Sequence, residues 1–64
     1  MLKLSKLYSL ISRNATVTLA DPSHKEAYFT GSVKDIPDAY DSWVVNDIIE
    51  FSNYDFMIEI KPNK

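Results

Sequence analysis

The chain has no cysteine, one glycine and one histidine among its 64 residues. Without thiols there is no disulfide framework, and with His24 as the lone imidazole the usual nitrogen-and-sulfur zinc sites are excluded on count. A single glycine, Gly31, cannot build the glycine-rich loops that cradle phosphates, so no nucleotide cofactor is expected, nor any other cofactor. A long apolar run is lacking too. The opening Met1-Leu2-Lys3-Leu4-Ser5-Lys6-Leu7 alternates apolar and polar residues and does not resemble a signal peptide or a membrane span. The expectation is a cytoplasmic protein with no membrane partner, and Asn14-Ala15-Thr16 reads as a chance match to a glycosylation acceptor. An excess of positive charge is also missing. The formal net charge is −2, which gives the molecule no overall field for nucleic acid.

What is present points to a folded globule: 45% of residues are hydrophobic and 12% aromatic. This length allows one domain, residues 1–64, and such a chain buries only about 60% of the surface its unfolded form exposes. Stability then rests on one apolar core, helped by self-association or a partner. Charge is unevenly placed. Lys3, Lys6, Arg13 and Lys25 lie early, whereas Asp35, Asp38, Asp41, Asp47, Glu50, Asp55 and Glu59 make the second half acidic.

The apolar spacing of Leu7, Leu10 and Ile11 after Leu4 predicts a helix over 5–13, with Ser5 as N-cap and Asn14 as a left-handed C-terminal cap. Its Leu4, Leu7 and Ile11 face must pack on a sheet, because two or three turns do not persist alone. The alternation of Ala15, Val17 and Leu19 with threonines predicts a strand. Asp21-Pro22-Ser23-His24 then predicts a reversal. A second strand over 26–33 places Ala27, Phe29, Gly31 and Val33 on one face and Tyr28, Thr30 and Ser32 on the other. Gly31 is expected at a bulge or under a closely approaching helix. The run 35–41 reads as a connector with one helical turn that Asp35 caps and Pro37 tolerates. Residues 43–52 fit a helical stripe about as well as a bulged strand, and length and β-branching favour the strand. Ser52-Asn53-Tyr54-Asp55 turns, and Phe56, Ile58 and Ile60 mark a last strand. The fold class expected is α+β, a short N-terminal helix on a four-stranded antiparallel sheet in the order α-β-β-β-β, with a helical turn between two hairpins.

Catalytic chemistry needs a nucleophile, a tuned acid or base, or a metal. His24 falls in an exposed turn and reads as solvated. Asp35, Asp38 and Asp41 recur every third residue, as a hard cation would need, but the further oxygen ligands and the glycine of a calcium loop are missing, so they read as a solvated, helix-capping connector. No catalytic, cofactor or metal residue is therefore expected, and the protein is read as non-enzymatic. The acidic second half is interspersed with aromatics. Tyr40 and Tyr54, in expected turns, join Asp35, Asp38, Asp41, Asp47, Glu50 and Asp55 as candidate partner-binding residues. Tyrosine anchors interfaces, and surrounding carboxylates steer basic partners. Trp43 and Phe56 suit either core or interface.

The order of Leu4-Ser5-Lys6-Leu7, Thr16-Val17-Thr18-Leu19, the run from Tyr28 through Gly31 to Pro37, and Met57-Ile58-Glu59-Ile60 resembles a broad group of small uncharacterised proteins encoded by phages and mobile elements of low-GC Gram-positive bacteria. The resemblance implies a context of host takeover or anti-defence, in which a short acidic protein binds and blocks a host enzyme that handles nucleic acid. Together these features favour a protein-binding inhibitor or adaptor whose host partner has a basic surface. The alternatives are a nucleic-acid-binding module using the basic N-terminal helix around Lys3, Lys6 and Arg13, and a structural homo-oligomer, such as a homodimer, paired through strand edges.

Overall fold

The computed structural model describes residues 2–63. A four-residue helix, α1 (Leu4–Leu7), precedes a hairpin of β1 (Thr16–Ala20) and β2 (Ala27–Ser32); two 3-10 turns, Val33–Asp35 and Asp38–Tyr40, lead to a second hairpin of β3 (Val44–Ser52) and β4 (Asp55–Lys61). The four strands form one sheet in the order β2-β1-β4-β3. The α+β class holds, but the sheet is mixed. Both hairpins are antiparallel, whereas β1 and β4, side by side in the middle, run parallel with Leu19 opposite Ile58.

The parallel pair follows from the connector. β2 ends at Ser32 beside Thr16, the first residue of β1, and β3 begins at Val44 beside Lys61, the last residue of β4. Residues 33–43 therefore carry the chain back along the sheet, so that β3 repeats the direction of β2 and β4 that of β1. Parallel direction always requires such a crossover. β4 takes the centre because it is the more apolar partner of its hairpin, with Ile58 and Ile60 fully buried against Val17 and Leu19. β3, which carries Asn46, Asp47 and Glu50, is left at the edge, where polar side chains remain solvated.

One face of the sheet is covered by α1 and the crossover. Leu4, Leu7, Val33 and Ile36 from that layer close on Ala15, Val17, Leu19, Ile58 and Ile60. The helix is shorter than the spacing of leucines predicts. It ends at Leu7, and Leu10 is 71% exposed. The hydroxyl of Ser9 donates to the Lys6 carbonyl and the Leu10 amide to Leu7, so local bonds compete with continuation of the helix. Ser5 is not the cap. Lys3 holds that position without a side-chain bond, and the first amides of the helix instead donate to the crossover, Leu4 N to Trp43 O at 2.8 Å and Ser5 N to Asp41 O at 3.1 Å. Nor is Asn14 left-handed, since His24 is the non-glycine residue of positive φ among those described, at 62°.

The first hairpin turns as expected. His24 N donates to Asp21 O at 2.9 Å, and Asp21 Oδ1 accepts the Glu26 amide at 2.9 Å. β2 departs from simple alternation because its register slips between Leu19 and Ala20, where Phe29 and Ala27 are the partners and Tyr28 is the extra residue. Tyr28 was expected on the opposite face to Phe29; instead it packs on the core, and Ala27 is exposed. Gly31 does sit under a close approach, but from its own strand: a Cβ there would lie 2.9 Å from Cζ of Phe29. The connector forms two 3-10 turns rather than one, with Asp35 ending the first and Pro37 capping the second. β3 is the bulged strand that β-branching favoured, with slips at Asn46 and Phe51.

Candidate functional site

The acidic residues singled out from sequence are distributed over the crossover, β3 and the start of β4. Asp35 and Asp38 are exposed on the 3-10 turns, and Asp47 and Glu50 are exposed on β3. Tyr54 and Asp55 are exposed at the tight reversal from β3 into β4. Asp41 is engaged from within. The Tyr8 hydroxyl donates to its Oδ1 at 3.0 Å, and burial together with that carboxylate pushes the Tyr8 hydroxyl well above the ordinary phenol range. Among the described residues no three His, Cys, Asp or Glu side chains converge as a metal would need.

Tyr40 is half-buried. Its ring meets Trp43 edge-on at 5.1 Å between centroids, and Trp43 meets Tyr28 edge-on at 5.2 Å. Edge-to-face contacts at these distances are favourable beyond the area they bury. The three rings pack against the core and fasten the crossover to β2, so Trp43 and Tyr40 belong to the covered face. Partial burial also raises the Tyr28 hydroxyl above its ordinary value.

The opposite face of the sheet holds an arrangement that sequence reading missed. Glu59 is only 8% exposed, the one buried charged residue among those described. Its Oε2 meets His24 Nε2, and its Oε1 accepts from Asn46 Nδ2 at 3.0 Å. These bonds, His24 first, hold its carboxyl below the ordinary carboxylate range. His24 stays exposed in its turn, as expected, but its ring is engaged by Glu59 rather than left to solvent alone. Its left-handed backbone turns the ring from the β1–β2 loop onto β4, and Asn46 reaches the same carboxylate from the first bulge of β3. No local pattern reveals this, because the partners are separated by 35 and 13 positions.

Large apolar side chains are exposed along the second hairpin. Phe51 is 61% and Tyr54 64% exposed, and Ile48, opposite the buried Ile58, is 38% exposed. Glu50 and Asp55 flank this tip. Phe51 escapes the alternation pattern as the extra residue of a bulge. Among the described residues no pocket opens on the surface, and no helix is long and apolar enough to cross a membrane. Comparison with protein-family models, curated proteins and solved structures finds no match for the chain.

Proposed function

We propose that the chain is a non-catalytic protein-binding module that acts through the tip and edge of its second hairpin. The observation that carries this reading is the pairing of two exposed aromatics, Phe51 and Tyr54, with the flanking carboxylates Glu50 and Asp55. Exposed aromatics supply the large anchors that dominate interface energies, and the carboxylates steer a basic partner and disfavour an acidic one. The likeness of the sequence to small phage and mobile-element proteins extends the proposal to an inhibitor or adaptor that engages a host protein handling nucleic acid, inside the host cell.

Capture from a bacterial lysate tests it. The immobilised chain should retain a protein in a salt-sensitive manner. A Phe51→Ser/Tyr54→Ser variant with unchanged circular dichroism should lose that protein. Equal retention by both, or retention by neither, contradicts the proposal. Salt-sensitive retention of nucleic acid in place of protein would favour the basic N-terminal segment instead.

A further inference from the structure

The outer edge of β3 is already used once, by the chain itself. Leu2 to Leu4 lies against it antiparallel, with Lys3 opposite Val44, Leu4 N donating to Trp43 O at 2.8 Å and Val45 N to Leu2 O at 2.7 Å. The seated segment is a lysine between two leucines. Beyond Val45 no strand among the described residues pairs with this edge, although β3 continues to Ser52. The open stretch begins Asp47-Ile48-Ile49-Glu50, two β-branched residues between two carboxylates. Asp47 Oδ1 accepts the Ile48 amide at 2.8 Å, so a backbone donor here is satisfied by the preceding carboxylate.

Charge decides which strand this edge accepts. Opposite residues of an antiparallel pair share a face, so a second copy pairs symmetrically only about a residue such as Ile48 or Ile49, which sets Asp47 against Ile49 or Glu50 against Ile48 and gives neither carboxylate a cation. A strand carrying Lys or Arg at two positions three apart, with β-branched residues between, sets a cation against each carboxylate and an apolar side chain against each isoleucine. A cation that engages Asp47 also draws it away from the Ile48 amide. We propose that the edge of β3 from Asp47 to Glu50 is a strand-addition site for an extended basic segment of a partner protein, of the pattern basic-apolar-apolar-basic, continuing the ladder that Leu2 to Leu4 begins. Main-chain bonds supply the binding and the alternate side chains the selection. This rests on the protein-binding reading above and names the partner's contacting element.

The test is titration of the whole chain with a blocked octapeptide, Thr-Thr-Lys-Val-Ile-Lys-Thr-Thr, followed by amide NMR. Saturable shifts should concentrate at residues 46–52. They should be absent with the same peptide carrying glutamates for its lysines, and Asp47→Asn/Glu50→Gln should weaken binding about tenfold or more. No saturable shift, shifts centred elsewhere, or equal binding of the glutamate peptide overturns the site. Failure of the peptide while lysate capture still depends on Phe51 and Tyr54 overturns the edge alone. Peptide binding with no such capture supports the edge site and counts against the hairpin tip.

Discussion

His24 Nε2 and Glu59 Oε2 meet across 35 positions of sequence, tying the turn of the first hairpin to the central strand of the second on the uncovered face of the sheet. The contact makes stability depend on acid in a defined direction. The Glu59 carboxyl is held below its ordinary value of 4.5, by the His24 bond and then by Asn46. A group depressed in this way contributes stability that is complete above its unfolded value and is lost as pH falls through the folded one. Asp21, held below 3.8 chiefly by the Ser23 hydroxyl, acts in the same direction. Thermal melts from neutrality to about pH 3 should show a declining Tm. Glu59→Gln should start lower at neutral pH and decline less steeply, and an identical acid slope in the variant would refute the coupling.

The Tyr8 hydroxyl gives the opposite limb. Burial, then Asp41, raises it above its ordinary value of 10.0, so its contribution is complete below that pH and disappears as pH rises through the raised value. Tyr8→Phe should cost about 1.5–3 kcal/mol near neutrality, the net value of a bond to a charged group. Denaturant curves should also show the variant less sensitive to alkali. A variant as stable as the wild type and equally alkali-sensitive would mean that the bond does not form in solution.

Gly31 and Phe29 should be energetically coupled. Gly31→Ala places a methyl 2.9 Å from the present position of the Phe29 ring, and displacing a packed ring costs about 1–3 kcal/mol. In a double-mutant cycle with Phe29→Ala, the second substitution should remove the part of the penalty due to the ring, leaving the part due to the positive φ of Gly31, 159°. Additive effects would show that the ring does not lie over Gly31.

Two leucines contrast the core with the surface beyond the short helix. Leu19→Ala, in the fully buried core, should cost about 2–5 kcal/mol, most of what so small a domain has. Leu10→Ser, at a site 71% exposed, should change urea stability by less than about 0.5 kcal/mol. A loss of several kcal/mol at Leu10 would restore the helix to Arg13.

The strands were legible because alternation reports burial. Val17 and Leu19 in β1, and Ile58 and Ile60 in β4, lie on the core as their spacing requires, and the β-branched Val44, Val45, Ile48 and Ile49 identified β3. Alternation carries no direction, however. A strand shows the same pattern whether its neighbour runs with it or against it, so the parallel pairing of β1 and β4, set by the course of residues 33–43, stayed hidden. Bulges hid the rest. Tyr28 and Phe51 are extra residues whose placement a period of two cannot give, and Leu10 has helical spacing without helical surroundings. Of the candidate contact residues, Tyr54, Asp55, Asp47 and Glu50 lie exposed on the second hairpin. Asp41 is drawn to Tyr8, 33 positions away, and Tyr40 onto Trp43 and the β2 residue Tyr28.

The placement of β3 at the edge, where Ile48 and Phe51 face solvent, depends on β4 lying between β3 and β1. Cross-strand nuclear Overhauser contacts measure this directly. The expected map has parallel-type backbone contacts joining Val17 with Phe56 and Leu19 with Ile58, and antiparallel ones joining Ile48 with Ile58. Contacts that put β3 beside β1, or an antiparallel pattern between β1 and β4, would contradict the architecture and with it the surface assigned to binding.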